Sequence, residues 1–231
     1  PVSRQRAIQP LAPGKVEALR HWMLENAPAQ DAGLVSLMAY AGLRPQEALA
    51  LRWRGIRERT LLIEEAVAYG ELKGQKTGRP PRTVRVLAPL RQDLAEWRLA
   101  VGVPDDEALL LPGRGDGPWQ LHDWQNWRKR VFKPAAETVG RGGIVPYDLR
   151  HSFASLMFHD GRLSVVEIAA QMGHSPTMTL STYGHVIAEL ATRRRCRPKS
   201  SSARRATRSG PFKSGRSRTR TWDLFLIREA L

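Results

Sequence analysis

A tyrosine in the stretch QMGHSPTMTLSTYGHV, Gln171 to Val186, keeps unusual company. Thr179, Ser181, Thr182 and Gly184 surround Tyr183, where a core tyrosine would have apolar neighbours. The side chain therefore reads as presented rather than packed, on a short helical run. A presented hydroxyl is a potential nucleophile. His174 precedes it in a glycine-led break. Two other segments carry residues suited to a phosphate. AGLRPQEALALRW (41–53) places Arg44 in a tight break between two helices, with Glu47 about one turn later to orient a basic group. YDLRHSFAS (147–155) places Arg150 in the first turns of a helix, with His151 beside it. A guanidinium offers a planar fork of donors that can hold two phosphate oxygens at once. Taken singly, each has a plainer reading: a surface Arg–Glu pair, a solvated helix charge, a satisfied histidine, a packed tyrosine.

Helices must position most of these residues. APGKVEALRHWMLENA reads as a helix with Val16, Leu19, Met23 and Leu24 on one face. DAGLVSLMAYAG is a second, more buried helix with Asp31 as N-cap and Gly42 at its end. Pro45 opens a third at a first-turn position. TLLIEEAVAY and RTVRVLA are strand-like, with GQKTGRPP as turn material between them. APLRQDLAEWRLAVG is helical, and ALLLPGRGDGPWQ is a short apolar segment with a glycine-rich loop. The Arg-Gly-Asp in that loop reads as a turn. LHDWQNWRKRVFKPAAETVG is a long amphipathic helix that packs Trp124 and Trp127 inward. Another helix begins just after Pro146, and SVVEIAAQMG follows with Ser164 as N-cap.

The chain has 231 residues, 42% of them hydrophobic, enough to bury a proper core. It has no apolar run of membrane-spanning length and opens without a signal peptide or a methionine. Its one cysteine, Cys196, excludes an internal disulfide and a cysteine-cluster metal site. His122, Asp123 and His159 lack partners at metal-ligand spacing. A cytoplasmic, nucleoid-associated protein is the simplest expectation. The net charge of +15 suggests a polyanionic partner. Residues 191–231, however, hold 13 Lys/Arg against 2 Asp/Glu, a net of +11, and residues 1–190 hold only +4. An argument for DNA must therefore rest on placed residues. The Arg/Ser-rich tail from about Ala191 is expected to be disordered.

Together the three segments resemble the catalytic domain of the tyrosine recombinases, the phage-integrase family. That family carries a TGLR..E...L.W box, a H-x-x-R-H-[TS]-x-A-[TS] box and a [LM]-G-H-....T...Y-x-H box. AGLRPQEALALRW, YDLRHSFAS and MGHSPTMTLSTYGHV match them in order. KTGRPPRTVRVL is similar to the family's lysine-bearing hairpin. The resemblance covers roughly residues 8–188. It implies an α+β, mostly helical fold with a small antiparallel β-sheet of about three strands on one side. The expected division is a catalytic domain over 1–190 and a basic tail over 191–231. The family's N-terminal core-binding domain is expected to be absent, leaving an isolated catalytic domain or a truncated gene with weak DNA binding.

By that resemblance Tyr183 attacks a phosphodiester and leaves a 3′-phosphotyrosyl link and a 5′-hydroxyl. Arg44 and Arg150 clamp the non-bridging oxygens, His174 donates to the phosphate, and Lys76 protonates the leaving oxygen, with Lys73 as runner-up. The resemblance implies no metal and no cofactor, because these cations supply the electrostatic stabilisation. Tyr147 stands where the family usually has histidine. It can still hydrogen-bond the phosphate, but a phenol with an ordinary pKa near 10 is a poorer general base. Glu47 and His151 are supporting residues. The implied partner is double-stranded DNA at attachment sites, with a homotetramer on DNA, a monomer alone, and accessory DNA-bending or excision factors. The implied role is integration or excision of a mobile element. The competing classes are a catalytically impaired DNA-binding remnant, a type IB topoisomerase and a basic RNA-binding protein. One codon choice for the Arg-Thr-Arg-Thr of the tail contains the complement of a tRNA T-loop, and the expectation drawn from it is a reading frame that runs into a tRNA-derived attachment site.

Overall fold

The computed structural model describes residues 8–74, 81–102 and 104–195. Nine helices, α1 to α9, and four short strands, β1 to β4, are present among the described residues. Helix α1 (Pro13–Asn26) buries Val16, Leu19 and Met23, as the apolar spacing predicts. Leu24 is exposed instead, because it lies one residue off that stripe. Helix α2 (Ala29–Tyr40) is buried along nearly its whole length, with Leu34, Val35, Leu37 and Met38 fully enclosed. It begins two residues before Asp31, so Asp31 stands in its first turn and not at its cap. Helix α1 packs on α2, and α2 also meets α3 (Pro45–Leu49), α4 (Ala88–Val101) and α7 (Pro146–Asp160). A helix enclosed by four others forms the centre of the core.

The strands lie beside this helical body. Strand β1 (Thr60–Ile63) pairs antiparallel with β4 (Arg82–Arg85), which sets Ile63 opposite Arg82. Strand β2 (Glu65–Ala68) pairs with β3 (Glu71–Gly74). The sequence reading of TLLIEEAVAY as one strand is thus split at Glu64, and about three strands become four in two ladders. Tyr69 and Gly70 join β2 to β3 with φ of 56° and 80°. Two successive left-handed residues match the twist of a tight hairpin. Tyr69 is an uncommon residue for that conformation, which is why the turn was hidden in the sequence.

The remaining elements close the body. Leu110 N donates to Leu51 O at 2.7 Å, so the apolar segment after α4 runs beside the end of α3. Helix α5 (Leu121–Trp127) continues through a π-helical segment (Arg128–Phe132) into α6 (Lys133–Thr138). Trp127 is buried and Trp124 stacks on it at 5.1 Å, in line with the inward-facing reading. Helix α7 starts at Pro146, and its Ser152 and Asp148 hold the leading segment through Leu11 N and Gln9 N. Ser164 caps α8 (Val165–Met172) in a reciprocal pair with Glu167. Helix α9 (Pro176–Arg195) is 20 residues long, and so not the short run expected around Tyr183. It continues five residues past the expected domain boundary at 190. No helix among the described residues is long and apolar enough to cross a membrane.

Candidate active site

Two breaks in helical structure, together with the first turns of α7, build the site. The first lies between α2 and α3. Gly42 ends α2 with φ +65°, and the Leu43 amide reaches back to Leu37 O at 3.3 Å. This left-handed turn aims the chain so that Arg44 becomes the N-cap of α3, ahead of Pro45. Glu47, one turn on, accepts from the Arg44 amide at 2.8 Å and from its guanidinium at 2.8 Å. Arg44 also donates to Gly173 O at 3.1 Å. The expected anchoring of this arginine at a helix corner is therefore present, and the corner is tied to a second break.

That second break separates α8 from α9. Gly173 adopts φ +60°, and His174 N donates to Ala169 O at 2.9 Å. The turn delivers His174 next to Arg150. Arg150 Nη2 lies 3.0 Å from His174 Nε2. A guanidinium carries only donors, so this nitrogen of His174 must accept, and the ring proton resides on Nδ1. His174 Nδ1 is buried and has no hydrogen-bond partner among the described residues. Burial, followed by the charges of Arg150 and Arg44, pushes the imidazole down to about 4, so it is neutral near pH 7.

Arg150 comes from the first turns of α7 and is wholly enclosed. It donates to the carbonyls of Gly42 and Met172. These carbonyls sit at the ends of α2 and α8, where helices have unpaired acceptors and partial negative charge. Burial and then the neighbouring Arg44 bring its pKa down to about 10, which still leaves it charged at neutral pH. Its Nε is buried without a hydrogen-bond partner among the described residues.

Arg82 escaped the sequence reading. It lies on β4, in the Arg-Thr-Val of the hairpin box, and grips Glu47 with both terminal nitrogens at 2.8 and 2.7 Å. Arg150 Nη1 stands 3.9 Å from the same carboxylate. Three guanidiniums are thus set against one buried carboxylate, leaving a positive excess. Burial would raise the carboxyl of Glu47, but the hydrogen bonds and charges of Arg82 and Arg44 prevail and hold it at about 2. Only the likeness of KTGRPPRTVRVL to the lysine-bearing hairpin hinted at Arg82.

Tyr183 corrects an expectation. It is 1% exposed and belongs to the core, packed on the rings of Phe158 at 5.5 Å and His151 at 5.7 Å. It is not presented. Its sequence neighbours are small and polar, but on a helix the packing neighbours are three and four residues away. Thr179, Tyr183 and Val186 form one buried stripe, and Ser181 and His185 face outward. The Tyr183 hydroxyl lies 2.7 Å from His151 Nδ1. Burial raises its pKa, with the Arg150 charge opposing and Tyr147 adding to the rise.

Tyr147 is 36% exposed at the opening of α7. Its ring meets His151 edge-on at 5.2 Å, and the Arg150 guanidinium carbon lies 6.0 Å from its centre. The structure thus gathers Arg44, Glu47, Tyr147, Arg150, His151, His174 and Tyr183, and adds Arg82. Lys76 lies outside the described residues. Lys73 pairs with Glu71 at 3.4 Å on the β2–β3 hairpin, and no contact joins it to the cluster among the described residues.

Known proteins share the fold. A tyrosine recombinase XerC of Methylobacterium sp. (strain 4-46) is 33% identical over 175 residues, which is 71% of this chain and 47% of that protein. The chain thus spans about half the length of the curated relatives it matches. The integrase of transposon Tn1549, solved with circular intermediate DNA, superposes with a TM-score of 0.66 at 18% identity, covering 84% of this chain and 69% of that one. The catalytic domain of bacteriophage HP1 integrase superposes with a TM-score of 0.51 at 17% identity, covering 86% of this chain and 100% of the other. At these identities the superpositions establish the fold. The model of the phage integrase family matches residues 10–189, the stretch that holds every described member of the cluster, and the chain belongs to that family.

Proposed function

We propose that this chain cuts and rejoins DNA strands site-specifically, through a covalent bond between Tyr183 and a 3′-phosphate. One observation carries the reading: Arg44, Arg82 and Arg150, from three separate elements, converge on Glu47, and Tyr183 of a fourth meets His151, the residue after Arg150 on α7. A positive excess of this kind is suited to the negative charge of a pentacoordinate phosphoryl transition state. The unpaired donors at Arg150 Nε and His174 Nδ1 support an anionic ligand.

In this reading Arg44 and Arg150 hold the non-bridging oxygens, and Glu47 and Arg82 keep Arg44 in register. His174 donates to the phosphate. Tyr147, partly exposed at the rim, adds a hydrogen bond to it. The Tyr183 oxygen forms a bond to phosphorus as the bond to the 5′-oxygen breaks, and Lys76 gives that oxygen a proton. Attack by a 5′-hydroxyl of a partner duplex reverses the steps, and the phosphotyrosine retains the bond energy for resealing. Because Tyr183 and Arg150 are buried, the site must open for a phosphodiester to enter.

The assembly follows from the chemistry. Exchange between two duplexes requires four cleavages, which four copies on double-stranded DNA supply, with accessory DNA-bending factors to shape the sites. Residues 1–190 form the catalytic unit. The basic residues of 191–231 add salt-sensitive affinity for the DNA of the nucleoid, in the cytoplasm.

The test is a nicked duplex in which cleavage releases a short fragment and traps the protein. Substrates would be tiled across the ends and junction of the element that carries the gene. A covalent protein–DNA band on a denaturing gel is expected, and Tyr183→Phe should abolish it. A band that survives Tyr183→Phe, or no band from any substrate, would refute the proposal.

A further inference from the structure

We propose that His151 is the general base that takes the proton from Tyr183, a role that rests on the strand-cleavage reading above. The hydroxyl must lose its proton as it attacks, and the group in contact with it is His151 Nδ1, at 2.7 Å. That distance is within direct transfer range.

The other basic groups of the cluster are committed elsewhere. His174 accepts from Arg150 through Nε2. Its imidazole, held down at about 4, would have little affinity for a further proton near neutral pH. Glu47, held at about 2, is engaged by Arg44 and Arg82. Tyr147 offers a phenol, itself a weak base, and its ring meets His151 rather than the Tyr183 hydroxyl among the described contacts. Tyr147 and His151 are four residues apart on α7, so they share a face. The basic function has therefore moved one turn along the helix, from the position held by Tyr147 to that held by His151.

The proton accounting closes. The Tyr183 O–H bond breaks, its electron pair forms the bond to phosphorus, and the proton moves to Nδ1 to give an imidazolium. The 5′-oxygen departs with its own electron pair and takes a proton from Lys76. In the reverse step His151 returns its proton to the tyrosine. Among the described residues, the charged and titratable groups around His151 include Tyr147 and Arg150 on α7, His174 in the α8–α9 turn and Tyr183 on α9. A carbonyl or carboxylate acceptor at Tyr183 would carry no titration in the neutral range, whereas an imidazole does.

The experiment follows covalent adduct formation by the full chain on the nicked duplexes, in single turnover, from pH 5 to 9. The rate is expected to rise along one imidazole-like limb and then level off. His151→Gln should lower it by roughly 10²- to 10⁴-fold and erase the limb. Tyr147→Phe should keep the limb. An unaltered rate and limb in His151→Gln would overturn the base while leaving the strand-cleavage reading intact. Absence of adduct from the unsubstituted chain would overturn both. A second measurement does not depend on turnover or on the folding of His151→Gln. The ¹⁵N resonances of His151 in the unsubstituted protein should show Nδ1 unprotonated and hydrogen-bonded, changing in Tyr183→Phe. A proton resident on Nδ1 would make His151 the donor to Tyr183 and sink the proposal.

Discussion

Arg82 holds Glu47 in a two-pronged grip, 2.8 and 2.7 Å from the two carboxylate oxygens, although the residues are 35 positions apart. This pair joins strand β4 to helix α3. Glu47→Gln removes the charge and leaves Arg44 and Arg82 facing each other in a buried place. The expected loss is roughly 3 kcal/mol in urea unfolding at pH 7. The loss depends on pH in a defined direction. The folded pKa of about 2 lies below the ordinary 4.5, so the carboxylate stabilises the fold fully above 4.5 and progressively less as pH falls towards 2. The gap between the two proteins should therefore narrow over that interval.

Asp31 behaves in the opposite sense. Burial raises its carboxyl to about 6 from 3.8. The folded state favours the protonated acid, so its contribution is full below 3.8 and is lost as pH rises through about 6. Asp31→Asn should match the unsubstituted protein at pH 3.5 and exceed it at pH 8 by up to roughly 3 kcal/mol. Paired denaturation curves at the two pH values would check this.

Arg150 and Arg44 should separate stability from chemistry. Arg150 is fully buried and joins the ends of two helices through Gly42 and Met172, whereas the Arg44 side chain is 27% exposed. A lysine cannot span the acceptors that Arg150 meets. Arg150→Lys should cost roughly 2 to 4 kcal/mol and Arg44→Lys about 1 kcal/mol or less. Both should cut adduct formation by about 10²-fold or more. Thermal melts beside the cleavage assay would show the split.

Gly42 is a structural test of the same centre. Its φ is +65°, and an added Cβ would lie 2.4 Å from the Phe153 ring. Gly42→Ala should destabilise by roughly 2 kcal/mol or more. It should also lower cleavage, because the displaced carbonyl is one that Arg150 donates to. A variant with unchanged melting would contradict this account of the α2–α3 corner.

The cluster was legible in the sequence to the extent that its chemistry needs particular side chains next to helix breaks. Arg44 beside Pro45 and His174 after Gly173 announce both residue and geometry locally. Arg82 was not legible, because its place depends on β4 pairing with β1, which sets it opposite Ile63, 19 residues earlier. Tyr183 misled because burial on a helix is decided by Thr179 and Val186, and its immediate neighbours are irrelevant to it. The role of His151 required knowing which face of α7 meets α9. The strands suffered the reverse problem, since a Tyr-Gly turn looks like strand and only its backbone angles reveal the reversal.

The π-helical segment Arg128–Phe132 has a consequence for the phase of the sequence. Trp127 and Phe132 are five residues apart, yet both are buried and their rings lie 5.4 Å from each other. In a regular helix, at about 100° per residue, they would diverge by about 140°. The wider turn absorbs the surplus, and Pro134, which has no amide to offer Arg130, removes the bond that would oppose it. Read as a ruler, this stretch is one mark too long. Losing one residue between Trp127 and Phe132 would bring the rings to roughly 40° apart in an ordinary helix. Gaining one would have no second wide turn to absorb it, so length change here is tolerated in one direction only.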